Sequence, residues 1–175
     1  ENRKGKTTES EAEFVLREHL GATRVLWLNH GHLDGDDTDG HIDTLARLCD
    51  KNTIAYVACD RWRDKHYRAL NEMEEELKAM RTAKGAPYAL VPLPWPRACY
   101  DSGKQRLPAT YANFLIINGA VLVPTYDDPA DAEALETIGA CFPGREAIGI
   151  DSRPLIVQHG SLHCVTMQLP AGVVV

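Results

Sequence analysis

TYANFLIINGAVLVPTYDDPADAEALETIGACFPGREAIGID, residues 110–151, is the stretch that decides the fold. TYANFLIIN (110–118) and AVLVPTY (120–126) are apolar, β-branched runs on either side of Asn118-Gly119, a dipeptide suited to the positive-φ positions of a tight hairpin. DPADAEALETIGACF (128–142) then reads as a helix, with Pro129 in its first turn, where a missing N–H costs nothing. EAIGID (146–151) closes the stretch as a short strand. The order is strand, strand, helix, strand.

The same order precedes it. HIDTLARL (41–48) and TIAYVAC (53–59) read as strands joined across Asp50-Lys51-Asn52. KHYRALNEMEEELKAM (65–80) repeats Tyr67, Leu70, Met73, Leu77 and Met80 at helical spacing, and YALVPL (88–93) is a strand after Gly85 and Pro87. Between the two units PWPRACYDSGKQRLP (94–108) carries three prolines and a glycine, the composition of a long surface loop. At the front, Thr8 with Glu11 forms a capping box for a helix near 9–20, and Gly21 is placed to stop it. RVLWLN (24–29) is then expected as a strand, HGHLDGDDTDG (30–40) as a polar loop, and SLHCVTMQL (161–169) as a last strand. The expected fold class is thus α/β: two complete strand-strand-helix-strand units with a partial unit at each end, in a single domain over residues 1–175 without an internal linker.

Composition narrows the function. With 175 residues, 44% hydrophobic and 25% charged, the chain can bury a core. A formal charge of -6 and a pI near 5.6 argue against nucleic acid or an anionic membrane as partner. No apolar run approaches the ~20 residues of a membrane span and the polar start lacks a signal-peptide core, so a cytoplasmic location is expected. Cys49, Cys59, Cys99, Cys141 and Cys164 are odd in number and unpaired by any CxxC, which suits reduced thiols.

Reactive side chains gather in GDDTDGHID (35–43), TYANFLIINGAVLVP (110–124) and QHGSLHCVT (158–166). On a strand, the spacing of His41 and Asp43 sends both to one face, where imidazole and carboxylate could meet one ligand. Cys164 follows Gly160, a residue that lets the backbone come close to a substrate, and a cysteine attacks as thiolate when a positive charge is near. Taken singly, each has a bland reading: His41 as a hydrogen-bonded strand residue, Cys164 as packing, and Asp34, Asp36, Asp37 and Asp39 as a solvated loop. A metal centre is the chemical competitor, with His30, His32, Asp34, His41, Asp43, His163 and Cys164 as ligand types. Against it, the acidic loop has Asp39 and Leu45 where a calcium hand needs glycine and glutamate, and no HExxH is present. GxSxG, P-loop and GxGxxG motifs are likewise absent.

DTDGHIDTLAR (37–47), TYANFLIINGAVLVP (110–124) and LHCVTMQLP (162–170), in this order and at these separations, resemble segments of the agmatine deiminase and bacterial peptidylarginine deiminase family, as does FPGREAIGIDSRPLI (142–156) between them. The resemblance runs from about residue 8 to the end and covers the carboxy-terminal part of such a catalytic domain. It implies a pentein-type α/β propeller of strand-strand-helix-strand units, here a partial propeller. It also implies hydrolysis of a guanidine through a covalent thiouronium, converting agmatine to N-carbamoylputrescine in polyamine metabolism or peptidyl-arginine to citrulline. By this resemblance Cys164 matches the nucleophile, His41 the acid/base, Asp43 a carboxylate clamping guanidinium nitrogens, and Asn113 a substrate-binding asparagine. No metal or organic cofactor is implied. The implied partner is a small guanidine or an arginyl peptide, and a second copy of the chain is allowed. Two departures stand out. The family's amino-terminal acidic residues are not in this sequence, and His159 occupies a position where many agmatine deiminases carry glycine. The alternative is a catalytically silent piece that binds or assembles.

Overall fold

The computed structural model describes residues 8–36, 40–169 and 172–173. The first helix, α1 (Glu9–Leu20), is capped as its sequence dictates. The Thr8 hydroxyl accepts from the Glu11 amide, the Glu11 carboxylate accepts from the Thr8 amide, and left-handed Gly21 ends the helix. None of its residues is buried, so it lies on the outside.

Two units follow. β1 (Ala46–Leu48) pairs antiparallel with β2 (Thr53–Val57), and α2 (Tyr67–Ala79) carries the chain over to β3 (Ala89–Leu93), which lies parallel to β2. Ile54, Ala55, Tyr56 and Val57 are buried in succession, the mark of a strand covered on both faces. One cover is α2, whose Leu70, Met73 and Leu77 are buried, each worth about 1.5–3 kcal/mol. A short hairpin intervenes, β4 (Cys99–Tyr100) with β5 (Arg106–Leu107). In the second unit β6 (Leu115–Ile117) pairs antiparallel with β7 (Ala120–Thr125), α3 (Asp131–Cys141) crosses over, and β8 (Glu146–Asp151) returns parallel to β7. The β6 ladder ends at Leu122, so Pro124 of β7 has no β6 neighbour to which it would have to donate. A one-turn helix, α4 (Arg153–Ile156), leads to the last described segment.

The two expected strand-strand-helix-strand units are therefore present, in the sheet orders β1-β2-β3 and β6-β7-β8. The flanks differ from expectation. Residues 24–29 form no strand: the described residues offer them no neighbouring strand, and instead the amides of Asn29 and His30 bond to Glu76 of α2. In HIDTLARL only 46–48 is strand; the Thr44 amide bonds to the His41 carbonyl and the Leu45 amide to the Ile42 carbonyl, winding Ile42–Thr44 into a 3₁₀ turn. SLHCVTMQL is likewise not a strand but a 3₁₀ turn, His163–Val165, whose leading amide is held by Asn113. The strand in 110–118 shrinks to 115–117, because the Thr110 hydroxyl takes the Ala112 amide in a local turn. Pro129 precedes α3 rather than opening it, since the helix begins at Asp131 after Ala130. The expected loop at 94–108 contains the β4–β5 hairpin, pinned where Arg106 bonds to Asp64.

The units are joined by polar bonds as well as by core. The Arg47 guanidinium donates to the Phe114 carbonyl at 2.8 Å and lies over the Phe114 ring, which meets Phe142 edge-on. Thr110 donates its hydroxyl proton to the Thr44 carbonyl at 2.9 Å. The entry turns of the two strand pairs, 41–45 and 110–114, are thereby placed side by side.

Candidate active site

Three turns converge: Ile42–Thr44, the turn before β6, and His163–Val165. Asn113 is fully buried between them. Its amide nitrogen donates to Asp43 Oδ2 at 3.0 Å and to the Asp43 carbonyl at 3.2 Å. Its Oδ1 accepts from the His163 amide at 2.8 Å and the Cys164 amide at 3.4 Å. One side chain thus ties the carboxylate of the first unit to the cysteine turn. Below it the buried Tyr126 hydroxyl donates to the Thr110 carbonyl at 2.8 Å and bonds to Ser161 Oγ at 2.9 Å, joining the turn before β6 to the segment that leads into the cysteine turn.

Cys164 is exposed, with Sγ 3.5 Å from Asn113 Oδ1 and 3.7 Å from Asp43 Oδ2. Its backbone is tightly constrained: a Cβ on Gly160 would stand 2.9 Å from the Cys164 Cβ, so only glycine lets the chain pass there. The close approach expected at Gly160 is therefore to Cys164 itself. Burial raises the thiol's pKa above the ordinary range and the Asp43 carboxylate adds to this, against lowering hydrogen bonds from the Ser161 backbone and Asn113. Burial also acts to raise Asp43, but the hydrogen bond and charge of His163, the Asn113 amide and the Arg47 charge outweigh it and hold the carboxyl below its ordinary value.

His41 takes a different place. It precedes the 3₁₀ turn as an exposed residue, and its imidazole makes no hydrogen bond among the described residues. His41 and Asp43 are not on a strand, so the shared-face spacing does not apply to them. The imidazole that does meet Asp43 is His163, whose Nδ1 lies 2.7 Å from Asp43 Oδ2. The sequence signal for His163 was its adjacency to Cys164; Tyr126 and Ser161 carried none. Asp37 and Asp39 lie outside the described residues. Among the described residues no group of three or more His, Cys, Asp or Glu is arranged to hold a metal ion, and no helix is long and apolar enough to cross a membrane.

The profile of the Porphyromonas-type peptidyl-arginine deiminase family matches residues 1–170. The chain belongs to that family. An agmatine deiminase of Pseudomonas putida is 33% identical to this family member over 189 aligned residues, which cover 98% of this chain and 51% of the relative. A provisionally assigned arginine deiminase from Porphyromonas gingivalis superposes with a TM-score of 0.93 at 60% identity, covering 98% of this chain and 50% of the other. An agmatine deiminase of C. jejuni, solved as a cysteine-to-serine variant with substrate bound, superposes with a TM-score of 0.85 at 42% identity, over 93% of this chain and 47% of its own. This deiminase-family chain thus spans about half the length of the relatives it matches, and its fold is the mixed α/β arrangement seen in them.

Proposed function

We propose that the full-length protein containing this chain hydrolyses a guanidine group through a covalent intermediate on Cys164. The observation that carries the reading is the exposed residue Cys164, whose sulfur lies 3.7 Å from a carboxylate kept ionised by its surroundings. The thiol is disfavoured as thiolate in the free site. A guanidinium drawn to Asp43 supplies the missing positive charge, so the substrate itself promotes ionisation of its attacker. Asp43 accepts charge-assisted bonds from guanidinium N–H groups and Asn113 holds Asp43 and the cysteine turn in register.

In the proposed reaction Cys164 Sγ bonds to the guanidinium carbon. His41 donates a proton to the departing nitrogen, which leaves as ammonia, and the thiouronium remains on sulfur. His41 then takes a proton from water, whose oxygen attacks the same carbon; as the C–S bond breaks, the remaining hydroxyl proton passes to the departing sulfur, which releases a ureido product and restores the Cys164 thiol. His41 stands two residues before Asp43, exposed at the start of the same turn. No metal or organic cofactor enters the scheme. The overall fold proposed is a pentein-type propeller, of which this chain supplies two complete units. The relatives named for agmatine and for peptidyl-arginine support a linear guanidine as the substrate class.

The test is a ureido colorimetric assay of the full-length protein with agmatine, free arginine and an arginyl peptide. Turnover of at least one, abolished in Cys164→Ser and His41→Ala, is the expected result. Full activity in Cys164→Ser would overturn the mechanism. A full-length protein that binds guanidines without releasing ammonia would instead favour the silent binding piece.

A further inference from the structure

His159 sits five residues before Cys164 with φ of +69°, a left-handed conformation that a histidine adopts only at a cost. Its amide bonds to the Ile156 carbonyl at 3.0 Å, closing the turn after α4, a position where glycine would be free of strain. What histidine adds is a long-range bond: Nδ1 lies 2.9 Å from the carbonyl oxygen of Gly35, so Nδ1 carries the proton and donates it. Gly35 is itself immobilised. A Cβ there would overlap the Arg106 carbonyl oxygen, the neighbouring Asp34 amide donates to His66 Nε2 at 2.9 Å, and the turn is closed by the Asp36 amide on the Leu33 carbonyl. From this root the chain runs on to His41, and its far side is fastened where Thr44 donates to Asp36 Oδ2 at 2.9 Å.

We infer that His159 is a positioning residue, tethering the turn that presents Cys164 to the root of the segment that carries His41. This rests on the guanidine-hydrolase reading of the Cys164 site and adds to it a device that sets the separation of its nucleophile and its acid/base. The tether is the Nδ1–H bond alone, so it is indifferent to whether the other ring nitrogen is protonated. Asparagine places its amide N–H on the same branch of the side chain as Nδ1 and tolerates left-handed φ, so it reproduces the bond without an imidazole.

The experiment compares His159→Gly and His159→Asn in the full-length protein. His159→Gly relieves the strained φ while deleting the bond, so its Tm is expected within about 2 °C of the parent. Its kcat is expected to fall about 10- to 100-fold with little change in KM, as follows when reacting groups are misplaced by a fraction of an ångström to an ångström. His159→Asn should recover most of the loss. Wild-type kcat in His159→Gly would overturn the inference, and so would an Asn variant as slow as the Gly one, since the imidazole would then act in its own right. Hydrogen exchange of the 33–36 and 40–45 amides is a readout independent of turnover. Faster exchange in His159→Gly, restored in His159→Asn, supports the tether even where no guanidine is hydrolysed and the functional reading has failed; unchanged exchange overturns it.

Discussion

Asp43 acts on its neighbours in opposite senses. It orders His163 and the Asn113 amide as an anion, and the same charge pushes the Cys164 thiol up, on top of the effect of burial. Asp43→Asn should therefore make the thiol more acidic. At pH 7.5 alkylation of Cys164 by iodoacetamide is expected to run several-fold faster than in the parent, because the thiolate is the reacting form. Guanidine hydrolysis should fall by about 100-fold or more in the same variant, because the clamp is lost. Equal alkylation rates would show that Asp43 does not govern the thiol. At this scale much was legible in the sequence: Asp43, Asn113 and Cys164 meet within hydrogen-bonding distance. The partnership of Asp43 with His163 rather than with His41 was not, because HIDTLARL reads as a strand, on which His41 and Asp43 would share a face. The Thr44 amide bonding back to the His41 carbonyl winds a 3₁₀ turn there instead.

Short elements were the illegible ones, two of them for one cause. Each reads as apolar and β-branched, yet a strand exists only where a partner accepts its backbone, and residues 24–29 and 161–169 have none among the described residues. The helices α2 and α3 were legible because their period is internal to them. The anchoring of the β4–β5 hairpin was hidden, since it depends on Asp64, just ahead of α2. Its carboxylate accepts from His66 Nδ1 at 2.6 Å, from Trp95 Nε1 at 3.1 Å and from both terminal nitrogens of Arg106 at 3.2–3.3 Å. Because His66 Nε2 accepts from the Asp34 amide, the imidazole is neutral with its proton on Nδ1. Burial acts to raise Asp64, but these donors outweigh it and hold the carboxyl far below its usual range, while burial lowers His66. Both groups thus bind protons more weakly folded than unfolded, so stability is full near neutral pH and is lost on acidification. The His66 share begins to go below about pH 6.5 and the Asp64 share below about pH 4. Melting temperatures at pH 7.5, 5.5 and 4 should fall in that order; a rise would contradict the assignment. Asp64→Asn, which turns one acceptor oxygen into a donor facing donors, should cost about 2–4 kcal/mol and flatten the lower part of the profile.

At the scale of the molecule, the site is open on the side away from Asn113. Among the described residues Asp43 is the one carboxylate within reach of the Cys164 sulfur, whereas a guanidinium presents N–H groups around its whole edge. Asp43 and His163 also border a cavity of about 700 Å³ whose other walls are largely aliphatic, among them Leu16, Leu26, Leu77 and Met80. Ile42, Leu48, Val165 and Met167 stand exposed on the neighbouring turns and strand. With relatives about twice this length, the proposed function assigns the remaining carboxylates, and the cover for these apolar groups, to the other half. The isolated 175-residue chain is then expected to fold its two units but to turn over no guanidine, since a substrate held along one edge is misplaced by an ångström or more and loses about 100-fold or more in rate. Its uncovered apolar groups should also drive self-association, seen by light scattering as a mass that rises with concentration. The full-length protein should remain at fixed stoichiometry and be active. Robust ammonia release by the isolated chain, at a rate comparable with the full-length protein and lost in Cys164→Ser, would mean that Asp43 and its neighbours suffice to hold the guanidinium, and would move the whole of the binding site into this half.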